Sequence, residues 1–118
     1  MYNSFREMPV WKNAFKLSID VFKLTSTLPR SEDYGLTSQL RRSANSISAN
    51  IAEGFGRNTS KDKNQFYIIA RGSAFETQNH LLYGRDTQYF DLLIIESLLN
   101  GYTDLIYELN KLIKFIKS

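Results

Sequence analysis

The 118-residue chain contains no cysteine, so it has neither a disulfide framework nor a thiolate metal site. Its single histidine, His80, leaves little material for proton-transfer catalysis or a multi-histidine metal centre. Only two prolines occur, Pro9 and Pro29, which leaves long stretches free to form uninterrupted helix. No apolar run approaches the roughly 20 residues a membrane span requires; the longest, Leu92-Leu-Ile-Ile95, is short. Met1 to Val10 lacks the apolar core of a secretory signal, so the expectation is a soluble, cytoplasmic protein. Charge of one sign is also scarce. A net charge of +3 permits contact with nucleic acid without demanding it.

What is present is helical periodicity. The length suits one domain, 1–118, and a chain of this size buries roughly two-thirds of its unfolded surface. From Pro9, the residues Val10, Ala14, Leu17, Val21, Leu24 and Leu28 repeat at four and three, a heptad seam. Trp11, Phe15 and Phe22 add an aromatic flank. The spacing predicts a first helix over about 9–28, stopped by Pro29. A second, over 36–55, carries Leu36, Leu40, Ala44, Ile47, Ile51 and Phe55 on one face and closes at Gly54-Phe-Gly56, where glycine suits a left-handed terminus. Thr59-Ser-Lys-Asp62 matches a capping box and opens a third helix, 60–85. Gly72 in its interior costs about 1 kcal/mol relative to alanine, which implies a close neighbouring helix. The fourth helix, 91–117, is N-capped by Asp91 and has two apolar rows, one from Leu92 to Ile116 and one through Leu98, Leu105 and Leu112. No strand-period alternation competes. The fold expected is all-α, an antiparallel up-down-up-down four-helix bundle.

The second helix also carries a polar stripe, Arg42, Ser46, Asn50, Glu53 and Arg57, spaced four and three. Stripes of this regularity are seldom plain solvated surface. These groups are expected to meet Ser73, Glu76 and Thr77 of the third helix, in a network that holds helix register or subunit arrangement. Glu53→Ala is then expected to lower stability or break the oligomer. The competing reading is a ligand- or phosphate-binding cleft.

The loop Gly54-Phe-Gly-Arg-Asn-Thr-Ser-Lys-Asp-Lys63 combines glycines, three cations and a helix N-terminus, the ingredients of an anion site. It lacks the Gly-Lys-[Ser/Thr] of a phosphate-binding loop, and no strand precedes it. An ordinary connection with solvated lysines is the simpler reading. The functional reading is phosphate-backbone contact by Arg57, Lys61 and Lys63, with Arg41 near them. Lys12, Lys16 and Lys23 read as a solvated face. The seven tyrosines and eight phenylalanines lie mostly at core or interface spacing and form no clustered stacking platform.

Catalysis has little support. Glu76 and His80 share a helix face, but the chain has no Glu-x-x-His motif of the kind carboxylate-bridged metal bundles use. Ser43, Ser46 and Ser73 have no evident base. No enzymatic activity, cofactor or metal is expected.

Gln39-Leu-Arg-Arg42, Ser46-Ile, Asn50-Ile-Ala-Glu-Gly54, Arg57 and Ala70-x-Gly-Ser-Ala-x-Glu-Thr77 resemble the four-helix bundle proteins of the 23S ribosomal RNA intervening-sequence family. The resemblance runs from Trp11 to the end. Some members of that family are encoded inside intervening sequences of the large ribosomal RNA gene. A related branch is the accessory protein of diversity-generating retroelements, a ring of five subunits associated with a reverse transcriptase and nucleic acid. The resemblance implies a bundle, a homo-oligomeric ring of five, and RNA or DNA as a partner; it implies no reaction. One departure is Ser48, where related sequences often have proline, so the second helix keeps a hydrogen bond there and need not kink.

The function expected is a non-enzymatic oligomeric scaffold that contacts nucleic acid. The alternative is a protein-interaction module that docks a partner enzyme such as a reverse transcriptase, without touching nucleic acid. The wide apolar arcs of the first and fourth helices favour self-association in either case.

Overall fold

A computed structural model describes residues 1–117. After a 3₁₀ turn at Phe5–Glu7, four helices follow: α1 (Pro9–Thr25), α2 (Leu36–Phe55), α3 (Ser60–Asp86) and α4 (Leu92–Lys117). Each helix packs on its neighbour in sequence, and α4 closes on α1 to complete a four-helix bundle of 43 × 23 × 20 Å. The described residues contain no strand.

The apolar spacings become the core. Val10, Ala14, Val21 and Leu24 are buried on α1, and Leu36, Leu40, Ala44, Ile47 and Ile51 on α2. Both rows of α4 are used: Ile95, Tyr102, Ile106, Leu109 and Ile113 are buried, and so are Leu98 and Leu105. Two rows are needed because α4 sits between α3 and α1 and has two neighbours to face.

Three local expectations are corrected. First, α1 ends at Thr25 rather than 28. Thr25, Ser26 and Thr27 turn their hydroxyls back onto the carbonyls of Val21, Phe22 and Leu24 at 2.7–2.9 Å. The backbone N–H groups of Thr27 and Leu28 then bond three residues back, so the helix tightens and stops before Pro29 is reached.

Second, α2 does not end on a left-handed glycine. Gly56 has φ −77, and the Lys63 ammonium satisfies the last carbonyls instead, donating to Phe55 O at 2.7 Å and Gly54 O at 3.4 Å. Third, no neighbouring element among the described residues approaches Gly72: a Cβ built there meets nothing within 4 Å. Close approach occurs at Gly54, against the Tyr67 ring, and at Gly84, against the Phe90 ring.

Other terminal signals hold. Thr59 Oγ1 accepts from Asp62 N–H at 3.1 Å at the start of α3. Glu32 caps α2, its Oε1 accepting from Leu36 N–H at 3.0 Å while its Oε2 accepts from Tyr89 O–H at 3.0 Å. That pair ties the α1–α2 connection to the α3–α4 turn.

Candidate functional site

The α2–α3 contact is lined by small residues, which brings the hydroxyl groups of the two helices together. Ser46 Oγ lies 3.0 Å from Ser73 Oγ. Asn50 Nδ2 donates to Ser46 O at 2.8 Å and lies 3.0 Å from Ser46 Oγ. Deeper in, Thr77 Oγ1 is fully buried, donates to Ser73 O at 2.8 Å and lies 2.9 Å from Ser43 Oγ. Ser43 belongs to this network although its place in the polar stripe was not legible. It lies between Leu40 and Ile47 at buried-face spacing, and that was the available signal.

The charged members of the stripe stay outside this layer. Glu53, in the last turn of α2, pairs with Arg57 in the loop that follows at 3.2 Å, with about half of each side chain exposed. The Arg57 guanidinium also stacks over the Phe66 ring, 4.6 Å from its centroid. Glu76 meets His80 at 3.3 Å, again one helical turn apart. Arg42 is exposed and has no partner among the described residues. No ion pair crosses from α2 to α3 among them. Burying a carboxylate and a guanidinium costs more desolvation than burying two hydroxyls that satisfy each other, so the hydroxyls occupy the contact and the ions remain at its wet edge.

The candidate phosphate contacts do not form one cluster. Lys61, in the first turn of α3, is exposed and has no partner among the described residues, and Arg57 lies in the loop that precedes that helix. Lys63 is taken up in capping α2, with its ammonium 5.5 Å from the Phe55 ring centroid. Arg41 lies toward the other end of α2, sixteen positions from Arg57, or about 24 Å along a helix. Its Nε donates to Thr25 Oγ1 at 2.8 Å and its Nη2 to Ser26 Oγ at 3.2 Å, while the guanidinium stacks over Phe22. Arg41 is therefore a clamp on the end of α1.

Beside that clamp runs a groove between α1 and α2, lined by Ile19, Phe22, Arg41, Arg42, Asn45 and Ser46. Ile19 and Phe22 are each more than 40% exposed along it, and Phe15, earlier on α1 and stacked on Trp11, is 43% exposed. At the start of α4, Leu93 is 80% exposed. Among the described residues no three His, Cys, Asp or Glu side chains converge as metal ligands. None of their helices is long and apolar enough to cross a membrane.

No curated protein sequence matches the chain. A solved structure does: a protein of unknown function from the S23 ribosomal protein family of Bacteroides thetaiotaomicron. It is 26% identical, the match covers 89% of this chain and 98% of that one, and the TM-score is 0.83. The family model described as 23S rRNA-intervening sequence protein matches residues 6–111. With nearly its whole length matched, and four helices in the arrangement of that structural neighbour, the chain belongs to the 23S rRNA-intervening sequence protein family.

Proposed function

We propose that this protein is a non-enzymatic oligomeric scaffold of the cytoplasm that associates with nucleic acid. The observation that carries the reading is the exposed apolar surface of the single chain. Phe15, Ile19 and Phe22 on α1 and Leu92, Leu93 and Ile94 on α4 all stand in solvent. Exposed apolar surface beyond scattered single residues marks contact with another macromolecule. The family resemblance supports a ring of five as the form of the assembly. Sedimentation at micromolar concentration tests self-association, and a clean monomer refutes it.

Nucleic acid is contacted, on this reading, through Lys61 and Arg57 at one end of the bundle and Arg42 beside the α1–α2 groove. Lys61 and Arg42 have no partner among the described residues, which leaves their charges available to phosphate. Such contact releases counterions, so affinity for RNA falls steeply between low and high salt. The test is a salt titration of RNA binding by the intact protein and by Lys61→Ala and Arg42→Ala variants. Salt-independent binding, or variants with unchanged salt slopes, refutes the phosphate contacts.

The second reading, a module that docks a partner enzyme and leaves nucleic acid to that partner, is favoured by one observation. Arg41 and Lys63, two of the four cations expected at phosphate, are spent on hydroxyl and carbonyl oxygens of this same chain. An oligomer with no measurable RNA or DNA affinity supports this second reading.

A further inference from the structure

Two exposed rows of the chain stand in opposite electrostatic surroundings. On α1 the row is Phe15, Ile19 and Phe22, spaced four and three and 43%, 42% and 53% exposed. Lys12, Lys16 and Lys23 flank it, exposed and without a partner among the described residues. Asp20, the one acid of α1, lies off the row, in the cleft between α1 and α4. On α4 the outward row is Leu93, Ser97, Asn100 and Asp104, spaced four, three and four, and Leu93 is 80% exposed. From Asp91 to Asn110 this segment carries four acids, Asp91, Glu96, Asp104 and Glu108, and no lysine or arginine. Asp91 and Asp104 are exposed, with no side-chain partner among the described residues. One row is bulky and ringed by cations; the other is small at its centre and ringed by anions.

We propose that these rows are the two halves of one contact, in which the α1 ridge of one copy packs on the α4 row of the next. The inference rests on the reading that the chain self-associates, and it names the surfaces that meet. Pairing either row with itself sets lysine against lysine or carboxylate against carboxylate, which is costly. Because the halves are different surfaces, a copy that has made one contact still offers the other half. Such a contact is heterologous, and it continues from copy to copy until the ring closes.

The bundle sets the angle of closure. Helices α1 and α4 touch and so occupy adjacent corners, and their outward rows diverge by roughly a right angle. In a ring of five the two contacts of a subunit lie about 108° apart, a difference within the scatter of helix packing angles. Levels along the bundle set the register. Within the chain Asn13 bonds Glu108 at 2.8 Å, Lys16 shares a cleft with Asp104, and Lys23 shares another with Leu93 and Ser97. In a ring whose axis runs along the bundle every copy stands at the same height, so these levels also hold between neighbours. Phe22 then meets Leu93 and Ser97 of the next copy, Ile19 meets Asn100, and Lys16 meets Asp104. Cation faces anion and large faces small along the whole contact, which is why the occupant is this chain and not a foreign helix.

The test exploits the two different halves. Ile19→Glu sets an acid against the acidic row, and Leu93→Arg sets a cation against the lysines. Both positions are exposed, so circular dichroism is expected to stay unchanged. Each variant alone is expected to self-associate at least about tenfold more weakly, as loss of a central anchor does. An equal mixture of the two is expected to associate again, because the intact α4 row of the Ile19→Glu chain meets the intact ridge of the Leu93→Arg chain. The chain has no native cysteine, so Ile19→Cys and Asn100→Cys chains, mixed and oxidised, give a second reading: a covalent dimer containing one of each. An oligomer that either charge variant leaves intact, a mixture that stays dissociated, or cysteine chains that link only like with like overturns the α1–α4 contact and leaves self-association standing. A wild-type chain that sediments as a monomer overturns both.

Discussion

The Phe90 ring packs against the bare Cα of Gly84, so closely that a Cβ at Gly84 overlaps the ring and comes within 3.2 Å of Leu36 Cδ2. The α3–α4 turn folds back on α3 at this point: Tyr89 N–H donates to Gly84 O at 2.9 Å and Gln88 adopts a positive φ of 68°. Phe90 is thereby delivered to the core at 6% exposure.

Gly84→Ala tests this closeness. Alanine is the better helix former, yet overpacking here is expected to destabilise the chain by roughly 1–3 kcal/mol in urea denaturation. Gly72→Ala is the matched control. Measured at concentrations where the chain is monomeric, it is expected to stabilise by up to about 1 kcal/mol, since nothing opposes the new methyl. Equal effects at the two glycines would show that neither environment matters.

Glu53 offers a second test, and the direction differs from the expectation based on stripe spacing alone. Among the described residues it holds only Arg57, at 3.2 Å and half exposed. Glu53→Ala should therefore change monomer stability by no more than about 0.5 kcal/mol. Thermal melts at low concentration measure this. A shift several times larger places Glu53 in a subunit contact that forms even at dilution.

Tyr102 gives a pH dependence. Its side chain is wholly buried and its hydroxyl has no partner among the described residues. Burial pushes its ionisation well above the usual tyrosine range, and the Asp20 charge adds to this. The neutral phenol is the form that folds. Below the unfolded tyrosine pKa of about 10 both states are neutral and stability is unaffected. As pH rises past that value the unfolded chain ionises first, so stability falls. Tyr102→Phe is expected to keep or gain up to about 1 kcal/mol at neutral pH, because it removes an unsatisfied hydroxyl, and to flatten the alkaline limb. Burial raises Tyr67 in the same direction, so part of the slope remains. Denaturation midpoints from neutral to strongly alkaline pH check this. An alkaline limb that Tyr102→Phe leaves unchanged rules the assignment out.

The helices and their buried faces were legible because each depends on short-range spacing. Leu40, Ala44, Ile47 and Ile51 face inward since any helix through them must turn them to one side. The Thr59 cap was legible for the same reason. The polar stripe was legible as a stripe, but its partition was not. Ser46 and Ser73 meet while Arg42 and Glu53 remain outside, and that division depends on how far α2 and α3 are rotated toward each other. Family membership was legible from the Asn50-Ile-Ala-Glu-Gly54 and Gly72-Ser-Ala-x-Glu76 segments together.

Sequence by itself determined that this chain is all helix, where its four helices lie, and which side of each is apolar, since periodicity is a property of neighbours a few residues apart. Tertiary structure alone decided which glycine is crowded, that Arg41 and Lys63 bind carbonyl and hydroxyl oxygens instead of standing free, and that hydroxyls rather than ions fill the α2–α3 contact. Those outcomes depend on the rotation and offset of one helix against another. Packing of the whole core sets both, and no local stretch of residues encodes either.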